Sequence, residues 1–304
     1  MATADHVSKL DLEQEEHSEF RRLTHIQRAF MRLRQDYLTL AGISVIFFLV
    51  VIAITAPVTT QLLGVNPIDI DLQKTYAAPD SDNLLGTDDK GRDHLARLIY
   101  GAQVSLAVAF AAAMLSLTIG IALGITTGYY GGIVDDIMIW LITTLNSIPG
   151  LFLLLMVVAL FSPGPIIFVM VLGLLGWTGT MRLVRGETLA LRERDYIVAA
   201  RAMGASDFRI MFQHIMPNLI SIVIVALAIN IGGLILLESG LSFLGFGIDP
   251  SVPTWGNMLT DAQAYFRRAP HLVFAPGILI SITVLALYVI GDGLRDALDP
   301  TVAD

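Results

Sequence analysis

The sequence of 304 residues contains no cysteine, which excludes disulfides, thiolate metal sites and cysteine nucleophiles. Charged residues are scarce, at 15% against about 25% in ordinary soluble domains. No G-x-x-x-x-G-K-[ST], H-E-x-x-H or G-x-S-x-G motif occurs, so the sequence offers neither a P-loop for ATP nor a hydrolase signature. The six histidines show no ligand spacing, and a net charge of −8 disfavours nucleic acid as a partner. We therefore expect no catalytic, cofactor or metal site in this chain.

Apolar residues make up 55% of the sequence and are concentrated in long blocks. A helix crosses the hydrocarbon core of a membrane with about 20 apolar residues. Blocks of that length predict helices over 38–56, 102–127, 219–237 and 272–291. The uncharged block 137–181 is too long for one crossing, and the turn sequence "SPGP" at 162–165 divides it into two helices. The sequence thus predicts an all-α polytopic membrane protein with six transmembrane helices.

The distribution of lysine and arginine predicts the orientation of these helices. Six crossings place both termini on one side of the membrane. On that side 13 basic residues fall in 1–37, 128–136, 182–218 and 292–304, whereas six fall in 58–97, 162–165 and 248–271. Because basic residues are enriched on the cytoplasmic side, we expect both termini in the cytoplasm.

This topology divides the chain into four parts. Residues 1–37 form a cytoplasmic tail, 38–57 the first transmembrane helix, 58–97 an extracytoplasmic segment, and 98–304 a core of five transmembrane helices. Within the tail, apolar residues recur at helical spacing among five arginines, which predicts an amphipathic helix in the membrane interface. They are Phe20, Leu23, Phe30 and Tyr37. A basic segment that only fixes topology would explain the same arginines.

A polar stretch, residues 192–218, interrupts the apolar blocks within the predicted cytoplasmic loop 186–218. It predicts two short helices: Gly204 suits the left-handed residue that ends the first, and Ser206 or Asp207 can cap the second. Spacing places Phe208, Met211, Phe212 and Ile215 on one face of the second helix. Pro217 is expected to end it. A hairpin of this shape would suit docking of another protein. A plain connection between two spans, without a docking role, explains the same sequence equally well.

This stretch resembles the "EAA" loop of ABC-importer permeases, through which those proteins contact their ATPases. The resemblance assigns ATPase coupling to Ala199, Ala200, Gly204, Ala205, Ser206 and Pro217. Val198 stands where glutamate is usual, so a salt bridge to an ATPase from that position is not expected.

Five further segments, in order, are similar to the second permease subunit of peptide/nickel-type importers. They are "LLGTDDKGRDHLARLIYGAQVSL" (84–106), "YYGGIVDD" (129–136), "LLESGLSFLGFG" (236–247), "PTWGNML" (253–259) and "GDGLRDALDP" (291–300). The resemblance runs from about residue 20 to the C-terminus. It implies type I ABC-importer architecture, with a paralogous permease, two ATPase subunits that bind ATP and Mg²⁺, and an extracytoplasmic solute-binding protein as partners. Dipeptides or oligopeptides are the expected cargo, with nickel chelates, glutathione or sugar-like ligands as alternatives. A secondary transporter is a more distant alternative, because no relay of ionisable groups is visible in the spans.

Three further features carry expectations. Gly120, Gly124 and Gly128 form a small-xxx-small row that predicts close helix packing. Glu238 is an acid within a span, which predicts a place near the pathway or at the permease–permease interface, with a helix-end position as the alternative.

The acidic segment 66–93 is expected to pack over the extracytoplasmic mouth and to contact the binding protein, alone or together with 248–271. A solvated loop without contacts is the alternative. Its acidic spacing does not fit an EF-hand loop.

Overall fold

The computed structural model of the protein describes residues 25–161, 164–260 and 266–298, and regular structure in these ranges is helical. The helices are α1 (His25–Gln35), α2 (Tyr37–Leu63), α3 (His94–Tyr130), α4 (Gly132–Asn146), α5 (Gly150–Phe161), α6 (Pro165–Arg192), α7 (Asp195–Ala202), α8 (Asp207–Phe243) and α9 (His271–Leu298). Short 3₁₀ turns cover Leu72–Lys74 and Asn257–Leu259. The predicted all-α class is confirmed.

Five helices are long and apolar enough to cross a membrane, namely α2, α3, α6, α8 and α9. The helices α4 and α5 together make a sixth candidate, but they are bent by 77°. The sequence predicted one continuous helix here. The helix breaks because Pro149 lacks a backbone N–H and its ring disfavours helical geometry at Ile148. The structure therefore contains five spans, or six if the bent pair counts as one broken span.

Close packing of α3 against α6 forms the centre of the bundle. A Cβ atom added at Gly120 would lie 2.6 Å from the Cβ of Thr180, and one at Gly124 would lie 2.7 Å from the Cβ of Val184. Such distances are shorter than any normal contact, so only glycine lets these two backbones approach. The prediction that the glycine row serves helix packing is confirmed.

Two predicted helix ends compare differently with the structure. Helix α6 begins at Pro165, immediately after "SPGP", because the first helical position needs no N–H donor. Pro217, in contrast, does not interrupt the helical chain, so the predicted helix end is wrong, although Pro217 does lie in the first turn of the regular helix Met216–Phe243, the next span. A π-helical turn over Ile210–Ile215 precedes it, and the helix continues to Phe243. The wider turn gives room for the proline ring, which would clash in a regular helix interior.

The predicted amphipathic helix corresponds to α1, which the structure describes from His25. Phe20 and Leu23 lie outside the described residues. Helix α1 packs against α9, while Phe30 and Tyr37 have exposed side chains. Exposed aromatic groups beside arginines are compatible with an interfacial helix.

Candidate functional site

The hairpin of residues 192–218 is held in shape by hydrogen bonds at the end of α7. Gly204 has a φ of +84°, as predicted. The N–H of Ala205 donates to the carbonyl of Ala200 at 3.1 Å, and that of Gly204 donates to the carbonyl of Arg201 at 3.0 Å. These two bonds form a Schellman motif, which closes a helix through one left-handed residue. No atom lies within 4 Å of a Cβ added at Gly204, so glycine is required by its backbone conformation and not by lack of space.

The second arm of the hairpin begins at Ser206, whose Oγ accepts the N–H of Arg209 at 3.4 Å. The predicted apolar face is only half correct. Met211 and Ile215 are buried, but Phe208 and Phe212 are exposed and contact each other, with ring centroids 4.3 Å apart. The π-helical turn changes the angular spacing of these residues, which a regular helical period does not anticipate.

Buried isoleucines fix the hairpin to the ends of three long helices. Ile197 of α7 and Ile210 and Ile215 of α8 are completely buried. They belong to one cluster with residues of α3, α6 and the body of α8, namely Ile125, Tyr129, Val184 and Leu219. A displacement of the hairpin must therefore carry the ends of these helices with it, because a close-packed apolar contact transmits strain.

Polar contacts reinforce this attachment to α3. The hydroxyl of Tyr129 donates to the carboxylate of Asp207 at 2.7 Å. The guanidinium of Arg201 lies over the ring of Tyr129, 5.3 Å from its centroid, within cation–π range. One side chain at the C-terminal end of α3 thus contacts both arms of the hairpin.

Two arginines of α6 add further connections. Arg192 donates from Nη1 to the carbonyls of Gly128 and Tyr129, at 3.0 and 3.4 Å. Arg185 makes a two-pronged ion pair with Asp135 of α4, with both N–O distances at 2.5 Å. Paired geometry of this kind is the strongest that arginine and carboxylate form. Helices α3, α4 and α6 are therefore joined at the end that carries the hairpin.

The residues predicted to contact an ATPase divide into exposed and buried groups. Ala199, Gly204, Ser206 and Pro217 are exposed and Ala205 is half-buried. Ala200 is different, because it is 5% exposed and faces the interior of the chain. The resemblance assigns it to ATPase coupling, but its burial leaves almost no surface for direct contact with an ATPase.

Three apolar side chains are exposed on the surface of the hairpin. Met203 is 83% exposed and Phe208 is 68% exposed, and Val198 is also exposed. Of the three, only Met203 was not identified from the sequence. Exposed apolar patches on a defined structure mark interaction surfaces.

Glu238 lies in a buried polar cluster near the opposite end of α8. It is 2% exposed, and its Oε1 accepts the hydroxyls of Ser242 at 2.9 Å and Thr254 at 3.0 Å. These contacts lie within this chain, and Glu238 stands five residues before the end of α8 at Phe243, close to the helix-end alternative. A place near the pathway or at the permease–permease interface stays a prediction. The carboxylate connects α8 to the loop 248–260.

The loop 248–260 is also attached to the N-terminal end of α3. Trp255 is completely buried, with its backbone N–H donating to Ser105 Oγ and its indole Nε1 to the carbonyl of Leu98, both at 3.0 Å. In the sequence, Trp255 stands out only as part of the segment 253–259, and its contact with α3 is not indicated there. Since the hairpin contacts the other end of α3, the two features lie at opposite ends of the bundle.

The segment before α3 folds onto the same loop. Asp88 pairs with Arg92 at 2.7 Å and with Arg97 at 3.5 Å, and Arg97 Nη2 donates to the carbonyl of Pro250 at 3.3 Å. A cavity of 170 Å³ lies between the segment and the loop. Burial raises the pKa of Asp93, whose carboxylate caps α3 by accepting the N–H of Ala96 at 2.7 Å. The segment is thus a folded structure in contact with 248–260.

The described residues form long helices with a firmly attached structure at each end of the bundle. In the described ranges, no group of three or more histidine, aspartate or glutamate residues is arranged to hold a metal ion. Long apolar helices carry a rigidly attached hairpin at one end and a folded polar cover at the other. This arrangement is that of a polytopic membrane component of a transport system.

Comparison with known proteins agrees with that class. Residues 120–304 match the family described as "Binding-protein-dependent transport system inner membrane component", and the chain belongs to this family. It is 38% identical over 275 residues to the glutathione transport system permease protein GsiD of Pectobacterium atrosepticum, covering 90% of each chain. It is 36% identical over 279 residues to the dipeptide transport system permease protein DppC of Bacillus subtilis, covering 91% of this chain and 86% of the relative. The oligopeptide transport system permease protein OppC of Haemophilus influenzae is 35% identical over 276 residues, with 90% and 88% covered.

Proposed function

We propose that this chain is a transmembrane permease subunit of an ATP-driven, binding-protein-dependent importer of dipeptides or oligopeptides. The observation that carries the proposal is the hairpin of residues 192–218, whose buried isoleucines join it to α3, α6 and α8 while Met203 and Phe208 remain exposed. A partner that moves this surface moves the ends of three helices. The named relatives in dipeptide, oligopeptide and glutathione transport systems support peptides as the cargo.

ATP binding and hydrolysis belong to partner subunits in this proposal. Two ATPases, with ATP and Mg²⁺, dock on the hairpins of this chain and of a paralogous permease, and the two permeases form the pathway between them. The permease itself is not catalytic. Val198 is exposed at the position where the resembling loop carries glutamate, so apolar contact replaces a salt bridge there.

Docking of ATPases requires the hairpin, and with it both termini, to lie in the cytoplasm. The excess of basic residues in 1–37 and 182–218 supports this orientation. Reporter fusions at Lys74 and Arg201 test it directly. We expect the two reporters to lie on opposite sides of the membrane, with the one at Arg201 in the cytoplasm. Two reporters on the same side would contradict the topology.

The opposite face is proposed to receive the solute-binding protein. Arg92 Nη1 donates to the carbonyl of Pro250 at 3.5 Å, which joins the segment 66–93 to the loop 248–260, so both can form one receiving surface. Deletion of 66–80 removes part of this surface, including the backbone groups of Asp71 and Tyr76 that donate to Lys90 and Asp88, and should reduce the stimulation of ATPase activity by the binding protein. Unchanged stimulation would contradict docking at 66–80.

The function itself is tested with the complete importer in proteoliposomes. Peptide uptake that requires ATP, the binding protein and this subunit is the expected result. A panel of dipeptides, oligopeptides, glutathione, nickel chelates and sugar-like ligands, offered to the cognate binding protein, identifies the cargo. Binding of a non-peptide ligand alone would replace the peptide assignment while leaving the permease role intact.

A further inference from the structure

The break between α4 and α5 leaves backbone polar groups without partners. The N–H groups of Gly150 and Leu151 have no hydrogen-bond acceptor within the described residues, and the carbonyls of Asn146, Ser147 and Ile148 have no donor there. In a continuous helix, each backbone N–H would donate to the carbonyl four residues earlier. These five groups are therefore available to an external partner.

Two polar side chains, Asn146 and Ser147, adjoin these backbone groups. Residues 146–150 are exposed without interruption, and Ile148 among them is apolar. The Ser147 hydroxyl donates to the carbonyl of Thr143 at 2.8 Å, whereas the Asn146 amide has no partner within the described part of the chain. An exposed amide beside unpaired backbone groups is not a surface that a helix presents to lipid.

The break lies at the depth of the hydrocarbon core. Helix α4 has 15 residues and so extends about 22 Å from its first residue, within the roughly 30 Å of bilayer hydrocarbon. Ile142, one turn before the break, packs against Trp177 and Met181 in the middle of α6. At such depth an irregular backbone is tolerated only where protein buries it or water reaches it.

A small cavity adjoins the break on its inner side. It has a volume of 130 Å³ and is lined by Asn146 together with apolar groups of α6 and α8, among them Trp177, Leu234 and Leu237. Pockets that enclose small ligands usually measure about 300–1,000 Å³. The cavity alone is too small for a peptide, and under the import proposal a second permease would enlarge the space beside it.

We propose that residues 146–151 face the water-filled pathway and contact the polar main chain of a peptide as it passes. This rests on the proposed import function. A helix of the partner permease packed dry on the break has its own backbone groups paired, so only polar side chains on that helix would satisfy these five. Water and a peptide main chain supply both donors and acceptors. The apolar wall formed by Trp177 and Leu234 then accommodates side chains of different peptides.

The absence of native cysteine permits a direct test in the complete importer, reconstituted in lipid nanodiscs. Ser147→Cys is compared with Ile54→Cys, an exposed apolar position on the unbroken helix α2. A charged thiosulfonate reagent reacts in water but hardly enters hydrocarbon, so Ser147→Cys should react at least about tenfold faster than Ile54→Cys. Cognate peptide delivered by the binding protein should slow the reaction at position 147 and leave position 54 unchanged.

Two controls separate this inference from the import proposal. Uptake by the cysteine-free importer is measured first, and its absence would contradict the import proposal. With uptake established, equally slow reaction at positions 147 and 54 would overturn the pathway assignment and indicate a dry interface. Asn146→Leu provides a second measurement: it should raise the peptide concentration needed for half-maximal uptake. An unchanged concentration dependence would contradict contact between Asn146 and the peptide.

Discussion

Tyr129 and Asp207 are 78 residues apart in sequence, yet the hydroxyl of Tyr129 donates to Asp207 Oδ1 at 2.7 Å. Tyr129 is the penultimate residue of α3, and Asp207 is the first residue of α8. The bond therefore joins the second arm of the hairpin to a helix that extends through the whole bundle. A hydrogen bond to a charged acceptor is stronger than one between neutral groups, so this contact can transmit displacement in both directions.

Tyr129→Phe should weaken coupling without preventing assembly. The substitution removes the donor and keeps the ring, which packs in the hairpin's supporting cluster. Loss of a hydrogen bond to a charged group costs roughly 1.5–3 kcal/mol where it is buried, and less here because Asp207 is exposed. Peptide transported per ATP hydrolysed should fall. An unchanged ratio would show that the bond carries no coupling.

Substitutions at Gly204 distinguish backbone conformation from bulk. Because φ is +84° and the surrounding space is empty, Gly204→Val should cost about 1–2 kcal/mol locally and tilt the two arms. Asparagine adopts left-handed geometry more readily, so Gly204→Asn is the matched control. Transport should be lost with valine and largely kept with asparagine. Equal transport by both variants would mean that this bend is not required.

Ala199 and Ala200 give a second pair of matched variants. Ala200 is buried, so Ala200→Asp places a charge in the supporting cluster and should reduce the thermal stability of the permease. Ala199 is exposed, so Ala199→Asp should leave stability near wild type but reduce the amount of ATPase that copurifies. The idea of a docking surface at α7 fails if Ala199→Asp retains full ATPase binding.

Glu238 is predicted to stabilise the loop 248–260. Glu238→Ala leaves the hydroxyls of Ser242 and Thr254 without their shared acceptor, at a cost of about 1–3 kcal/mol for each buried group left unpaired. Glu238→Gln retains an acceptor oxygen and is the control. Thermal unfolding of the purified complex should shift strongly for alanine and little for glutamine. Identical unfolding of alanine and wild type would contradict this role.

Much of the helical architecture was predictable because strong local signals specify it. Pro165 marks the start of α6, Gly204 closes α7, and the glycines at 120 and 124 indicate close approach of α3 to another helix. Each of these signals acts through backbone conformation or side-chain size, which the sequence states directly. The apolar blocks predicted six crossings, and the structure has five candidate spans, or six if the bent pair of α4 and α5 counts as one.

Features that depend on distant contacts were not predictable. The 77° bend before α5 has only Pro149 and its polar neighbours as a signal, within an apolar block that also fits a straight helix. The inward position of Glu238 depends on Thr254, which the chain brings back from the loop beyond α8. The π-helical turn at Ile210–Ile215 has no local signature, and it redirects Phe208 and Phe212 to the surface.

The central claim is that an ATPase moves the bundle through the hairpin, and nucleotide-dependent cross-linking tests it most directly. Ser206 is exposed beside the bend, and a cysteine introduced there is the only one in the chain. Paired with single cysteines in the groove of the partner ATPase, Ser206→Cys should cross-link efficiently, with a yield that changes between the nucleotide-free and ATP-bound states. Absence of cross-linking in an assembled complex that still transports peptide would contradict the account.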